Sequence, residues 1–180
     1  MAFSFQLTKD MIRNIFRIFL LIVITVLLSF CGQKKYSPED VKAIVQKADA
    51  NMHGLEETNF EWASKRAYSH IRAYYPLPGY IFLNEKINFR TGGDSYNHYY
   101  FKDGNLVYYK ERKLTFKKDQ RNNWRRVLSS LDLYLNQDGN VIGYDNVEDK
   151  KSADLKGDQV EDVLHHAREL YTITKTKKPN

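Results

Sequence analysis

The stretch Tyr100-Phe101-Lys102-Asp103-Gly104-Asn105-Leu106-Val107-Tyr108 reads as a β-hairpin. Asp-Gly between two runs of β-forming residues is a strong short-range hairpin signal, because a two-residue turn needs positive φ at its central positions. The pattern returns as Leu135-Asn136-Gln137-Asp138-Gly139-Asn140-Val141-Ile142-Gly143. Tight turns join antiparallel neighbours only, so two such hairpins in succession imply a meander.

On the N-terminal side of the first hairpin Tyr80–Arg90 is β-rich, and Thr91-Gly92-Gly93-Asp94 reads as a turn into a strand over Ser95–Phe101. Further strands are expected over Asn105–Phe116, Arg125–Asn136 and Asn140–Tyr144, with Lys117–Asn123 an exposed polar loop. Ser37-Pro38-Glu39-Asp40 offers an N-cap hydroxyl, a proline for the first helical position and two carboxylates at the positive end of the dipole. Val41, Ile44, Val45, Ala48 and Met52 then recur at helical spacing, with Gly54 as a stop. A second amphipathic helix is expected after Asp158, which with Glu161 resembles a capping box. Its apolar stripe is Val160, Val163, Leu164, Ala167, Leu170 and Tyr171. Leu55–Tyr75 reads two ways. Trp62, Ala63, Arg66, Ala67, His70 and Ile71 fit a helix ended by Pro76 and Pro78, the favoured reading, whereas the aromatic-rich Ala67–Tyr75 also suits a strand.

The expectation is therefore an α+β domain over 38–174, an antiparallel meander sheet flanked by an N-terminal and a C-terminal amphipathic helix, with a basic tail at 175–180. One sheet face is expected on the helices and the other toward water or a partner. In Tyr99-Tyr100 and Tyr108-Tyr109 neighbouring side chains point to opposite faces, so one ring of each pair is expected on the face away from the helices.

The N-terminal stretch carries a different message. Met11–Arg17 is short and cationic, Ile18–Phe30 is 13 apolar or uncharged residues, and Cys31-Gly32-Gln33-Lys34-Lys35 turns abruptly polar. A positive segment, an apolar run of this length and a processing point describe an export signal. Leu28-Ser29-Phe30-Cys31 resembles the lipobox of bacterial lipoproteins, with Phe30 where that family carries a small residue. The resemblance implies cleavage before Cys31, its lipidation, a membrane tether over 32–37 and, with Gly32 after the cysteine, the outer membrane rather than the inner. An uncleaved anchor is disfavoured because a span needs roughly 20 residues. Ordinary secretion with cleavage after Cys31 is the other alternative. Cys31 is the only cysteine, so no intrachain disulfide is available and the fold rests on its core.

From Gly32 onward the chain has 149 residues, enough for one domain. The whole chain carries +6, and losing Lys9, Arg13, Arg17 and Asp10 with the leader leaves +4. That charge is concentrated. Lys110, Arg112, Lys113, Lys117, Lys118, Arg121, Arg125 and Arg126 stand against Glu111 and Asp119 alone within Lys110–Arg126. Interleaved with Tyr108, Tyr109, Phe116 and Trp124, this has the composition of a nucleic-acid surface, but an export signal argues for an envelope polyanion or an envelope protein instead. Lys and Arg that protect sheet edges would give the same composition.

Motifs for chemistry are sparse. His165 and His166 are adjacent on a helix, about 100° apart, so they do not form an i,i+4 metal pair. No Gly-x-Ser-x-Gly is present, and nothing in the sequence calls for a cofactor. A glycosidase carboxylate pair need not be close in sequence, which keeps a small cell-wall hydrolase, or an inhibitor of one, as the alternative. The repeated Asp-Gly-Asn hairpins and closing helix, from Tyr96 to Tyr171, are similar to a loose group of small exported bacterial proteins of unknown function. The expected function is a membrane-tethered, non-catalytic interaction module facing the periplasm. Tyr99, Tyr108, Lys117, Lys118, Arg121, Trp124 and Arg125 are its expected partner-binding residues, and Cys31 is its lipidation site.

Overall fold

The computed structural model describes residues 36–177 apart from 54, 56 and 66. The expected export signal, Cys31 and the first four residues of the tether lie outside them. Helix α1 (Pro38–Ala50) leads into strands β1 (Glu57–Ala63), β2 (Ala67–Tyr74), β3 (Tyr80–Phe89) and β4 (Asp94–Lys102). Strands β5 (Asn105–Lys118), β6 (Trp124–Leu135), β7 (Val141–Glu148) and β8 (Lys151–Ser152) follow, and helix α2 (Gly157–Lys177) closes the domain. The strands form one antiparallel sheet in the order β1-β2-β3-β4-β5-β6-β7-β8. The meander read from the two hairpins is present, with a short helix before it and a long one after.

Leu55–Tyr75 is a hairpin, not the helix favoured from its spacing. Along β2, Ala67, Ser69, Ile71 and Ala73 are buried while Tyr68, His70 and Arg72 are exposed. That period of two was masked because three of its four inward positions hold Ala or Ser, which carry little β signal.

The two helices lie on opposite faces of the sheet, which corrects the one-sided arrangement expected. On one face α1 places Val41, Ile44 and Ala48 against Phe82, Tyr100, Val107 and Tyr108. Register lines up an aromatic ladder there: Tyr74, Phe82, Tyr100, Tyr108 and Tyr134 are cross-strand partners on five successive strands. Adjacent ring centroids are 5.6, 4.7, 5.5 and 5.2 Å apart, the range of favourable tilted pairs. On the other face α2 places Ala167 and Leu170 against Ile71, Leu83, Tyr99, Tyr109 and Leu133. All four tyrosines of the doublets are buried, because each face has its own helix.

The repeated hairpins share a device beyond their turns. Register slips between Tyr100 and Phe101 and again between Tyr134 and Leu135, which makes Val107 and Ile142 the extra residues of two bulges. Both pack toward α1. Gly143, the counterpart of Tyr108, is where α1 begins: a Cβ there would stand 3.4 Å from Pro38 Cγ and 3.6 Å from the Tyr134 ring.

Helix α1 has a complete capping box. Ser37 Oγ accepts from Asp40 N at 3.2 Å, and Asp40 Oδ2 accepts from Ser37 N at 3.0 Å. It stops at Ala50, where Asn51 donates its amide to Lys47 O at 2.8 Å, so the helix ends before the expected Gly54. In α2, Asp158 Oδ1 accepts from Gln159 N at 2.9 Å, a local cap in place of the expected box with Glu161. Lys175–Lys177 continue α2 and are not part of a tail.

Candidate binding surface

Strands β5 and β6 outrun their neighbours. The β4 ladder with β5 begins at Asp94 opposite Leu114, and the β7 ladder with β6 begins at Ser129 opposite Glu148. The pairs Thr115/Val127, Phe116/Arg126, Lys117/Arg125 and Lys118/Trp124 therefore overhang the sheet as a two-stranded ribbon. Alternation gives its two faces different chemistry. Phe116, Lys118, Trp124 and Arg126 share the α1 face with Leu128, while Lys117 and Arg125 share the α2 face.

The α2 face of the ribbon is neutralised. Lys117 pairs with Glu148 and Arg125 with Asp149, across to the β7–β8 turn. The Arg125 guanidinium, hydrogen-bonded to Asp149, holds that carboxyl below its usual range. The other face keeps its charge. Lys118 Nζ stands 5.4 Å from the Trp124 ring centroid, and neither Lys118, Arg121 nor Arg126 has an ion pair among the described residues. Trp124 is 67% exposed, and Phe116 and Leu128 are exposed on the same face. Three large apolar side chains are thus left in water on one face.

The tip is rigid although it lacks glycine. Asp119 Oδ1 accepts from Arg121 N at 2.8 Å and Asn123 N at 2.9 Å, and Asn122 takes the left-handed conformation with φ 65°. Asn136 frames the β6–β7 turn identically, accepting from Asp138 N at 3.0 Å and Asn140 N at 2.9 Å, with Gly139 at φ 80°. An Asx side chain bonded to its own turn is the shared logic. The strands continue to Lys118 and resume at Trp124, so the loop is shorter than the expected 117–123.

Of the expected partner-binding residues, Lys118, Arg121 and Trp124 fall on or beside the exposed apolar face. Lys117 and Arg125 are committed to ion pairs on the reverse. Tyr99 is 1% and Tyr108 9% exposed, so neither can meet a partner: Tyr99 lies under α2 and Tyr108 under α1. Leu128, Phe116 and Arg126 complete the surface and were not singled out from sequence. Strand parity from Trp124 would have grouped them, had the strands been drawn to their full length.

A second feature lies on the α1 face beyond the helix. Asn59, Arg72, Asn84, His98, Lys110 and Asp132 form one cross-strand row from β1 to β6. The next row runs Glu61, His70, Lys86, Tyr96, Arg112 and Ser130. Asp132 is spoken for, accepting from Tyr108 OH at 2.6 Å and from Arg112 Nη2 at 3.0 Å. Burial, with Lys110 and Arg112 close by, pushes the His98 imidazole below its ordinary value.

Under α2 sits a buried polar cluster that sequence reasoning missed. Glu85 is fully buried, and its Oε2 accepts from Tyr99 OH at 2.7 Å and Asn97 Nδ2 at 3.2 Å. His166 Nε2 reaches Glu85 Oε1 at 3.0 Å from the helix. Burial works against both charges, but the mutual hydrogen bond and Coulomb attraction win, so His166 is raised and Glu85 lowered. The only signal in sequence was a Glu in the middle of a β-rich stretch.

Among the described residues no group of three His, Cys, Asp or Glu could hold a metal ion, and no helix is long and apolar enough to cross a membrane. No family model matches this chain, and neither does any curated protein or solved structure.

Proposed function

We propose that this chain is a membrane-tethered bacterial envelope lipoprotein, lipidated at Cys31, that acts as a non-catalytic interaction module through the β5–β6 overhang. The observation that carries the reading is the pairing of exposed Trp124, Phe116 and Leu128 with Lys118 and Arg126 on one ribbon face. Trp and Arg at the centre of a patch are the composition of protein-interface hot spots. The partner is a protein with an apolar cleft and an acidic rim. A dissolved polyanion accounts for the cations but leaves the three apolar side chains without a purpose.

The geometry suits a tether. Tyr36, where the described residues begin, lies against Lys102 with its ring 5.3 Å from Nζ, beside the Asp103-Gly104 turn. The overhang is at the far end of β5, about 40 Å away at 3.3 Å per residue. A narrow, rigid ribbon also suits insertion into an enzyme cleft, which favours the inhibitor version of the hydrolase alternative. The hydrolase version finds no support in Glu85 or Asp132, both already engaged in hydrogen bonds.

The test is a photo-crosslinking residue in place of Phe116 in the full chain, expressed in a bacterial host whose envelope contains the partner. One discrete protein adduct, lost in Lys118→Glu/Arg126→Glu, is the expected result. Adducts to lipid or polysaccharide, or adducts indifferent to the charge reversal, would refute it. Labelled palmitate that enters wild type but not Cys31→Ala tests the tether separately.

A further inference from the structure

We infer that the hollow on the α1 face, between the helix and the overhang, is a binding site for a small hydroxylated anion, a sugar-sized molecule bearing a phosphate or carboxylate. The hollow has a volume of about 560 Å³ and draws its lining from four adjacent strands, including Glu57, Asn59, Arg72, Asn84, Lys86 and His98. That volume matches small-molecule sites, and residues mounted on strands are held more firmly than residues on loops.

The lining is chosen for an anion. Arg72 and Lys86, diagonal neighbours on β2 and β3, have no ion pair among the described residues, whereas Arg112 one strand beyond has Asp132. Sheet faces normally interleave opposite charges on facing strands, and like charges left close together destabilise unless something neutralises them. Lys110, the cross-strand partner of His98, adds a third cation on the same face. An anionic oxygen group between Arg72 and Lys86 would satisfy both, with Arg72 able to engage two oxygens at once.

The remainder of the lining reads hydroxyls. Asn59 and Asn84 each offer a donor and an acceptor, and Glu57 offers acceptors only. Tyr96 is 42% exposed, with Lys86 Nζ 5.4 Å from its ring centroid, and provides a flat apolar wall of the kind on which a sugar ring stacks. A bare anion would leave the amides and the ring unused. A neutral sugar would leave Arg72, hydrogen-bonded to Tyr74, and Lys86, over the Tyr96 ring, without a counter-ion.

The experiment uses the full chain in detergent, with glucose 6-phosphate, glucuronate, glucose and inorganic phosphate as probes. The readout is the side-chain nitrogen resonances of His70 and His98, two imidazoles lining the hollow. Both anionic sugars are expected to shift them saturably, and their ratio tells phosphate from carboxylate. Glucose and inorganic phosphate are expected to bind at least about tenfold more weakly. Arg72→Gln/Lys86→Gln should cost about tenfold or more in affinity without loss of folding, since both side chains are exposed. Lys118→Glu/Arg126→Glu should leave binding unchanged, which separates this site from the overhang. No shift up to about 10 mM probe, or affinity unaltered in Arg72→Gln/Lys86→Gln, would overturn the inference, as would inorganic phosphate binding as well as the sugars.

Discussion

His166 Nε2 and Glu85 Oε1 stand 3.0 Å apart across the α2–sheet interface, and the carboxylate is fully buried. The pair ties helix to sheet at one specific register, because Tyr99 and Asn97 hold the same carboxylate from β4. Around it are the Trp62 ring, 5.2 Å from the imidazole, and Glu169 on the helix itself. A buried carboxylate with three partners is costly to orphan.

The pair makes stability depend on pH in a definite direction. His166 is raised above its ordinary 6.5, so its contribution is complete below that value and is lost as pH rises through the folded-state value. Glu85 is lowered below its ordinary 4.5, so its contribution is complete above 4.5 and is lost as pH falls through the folded-state value. The pair therefore contributes most between 4.5 and 6.5. His98 is lowered instead and titrates with the opposite sign. The difference between wild type and His166→Gln isolates the pair. Urea midpoints should converge for the two proteins as pH climbs from about 6 to about 9. Parallel curves would show that folding does not raise the His166 pKa. Glu85→Ala should cost about 3 kcal/mol near pH 6, since it leaves His166, the Tyr99 hydroxyl and the Asn97 amide without their shared acceptor.

Two turns predict opposite effects of changing a glycine. Gly93 has φ 97°, and a Cβ there would overlap the Leu114 carbonyl oxygen, which belongs to backbone and cannot swing aside. Gly93→Ala should lose about 2 kcal/mol or more. At the β7–β8 turn Asp149 and Lys150 both have positive φ, 50° and 66°, although neither is glycine. Lys150→Gly should gain about 0.5–1 kcal/mol in chemical denaturation, because it removes steric strain in a type I′ turn at an exposed site. Asp149 is not interchangeable in the same way, since its carboxylate is the partner of Arg125.

The hydroxyl of Tyr100 joins the ladder to α1 by donating to Asp49 Oδ1 at 2.8 Å. Burial and that carboxylate together push the phenol well above its usual range, so it remains a donor at any pH the protein survives. Tyr100→Phe should cost about 1 kcal/mol, with faster amide exchange confined to α1. Exchange accelerated evenly through the sheet would show that the hydroxyl supports the ladder and not the helix.

Which parts of this architecture could be read beforehand follows from where the local signal is strong. Asp103-Gly104 and Asp138-Gly139 announced their hairpins because only glycine and a few short polar residues tolerate positive φ. The Asp119–Asn123 turn escaped because Asn122 does glycine's work within an Asx frame that spacing does not reveal. The β1–β2 hairpin escaped because Ala67, Ser69 and Ala73 hold three of the four inward positions of β2. The second buried face escaped for a deeper reason: a doublet such as Tyr99-Tyr100 looks half-exposed until a helix is known to lie on each side. The candidate surface suffered likewise, for composition located Lys118 and Trp124, while only register separates them from Lys117 and Arg125.

That separation gives the sharpest prediction for the overhang. Trp124→Ser should leave the melting temperature within about 1 °C of wild type, since the ring is 67% exposed and packs chiefly against Lys118. It should nevertheless abolish the Phe116 adduct, because a central aromatic at an interface carries about 2 kcal/mol or more of binding. Lys118→Glu/Arg126→Glu should act mainly by slowing association, an effect that shrinks as ionic strength rises. Lys117→Gln/Arg125→Gln alters the neutralised face and should leave the adduct intact while loosening the β7–β8 turn, which hydrogen exchange at Glu148–Lys151 would register. An adduct lost equally in both charge variants would mean that net charge, and not the face carrying Trp124, recruits the partner.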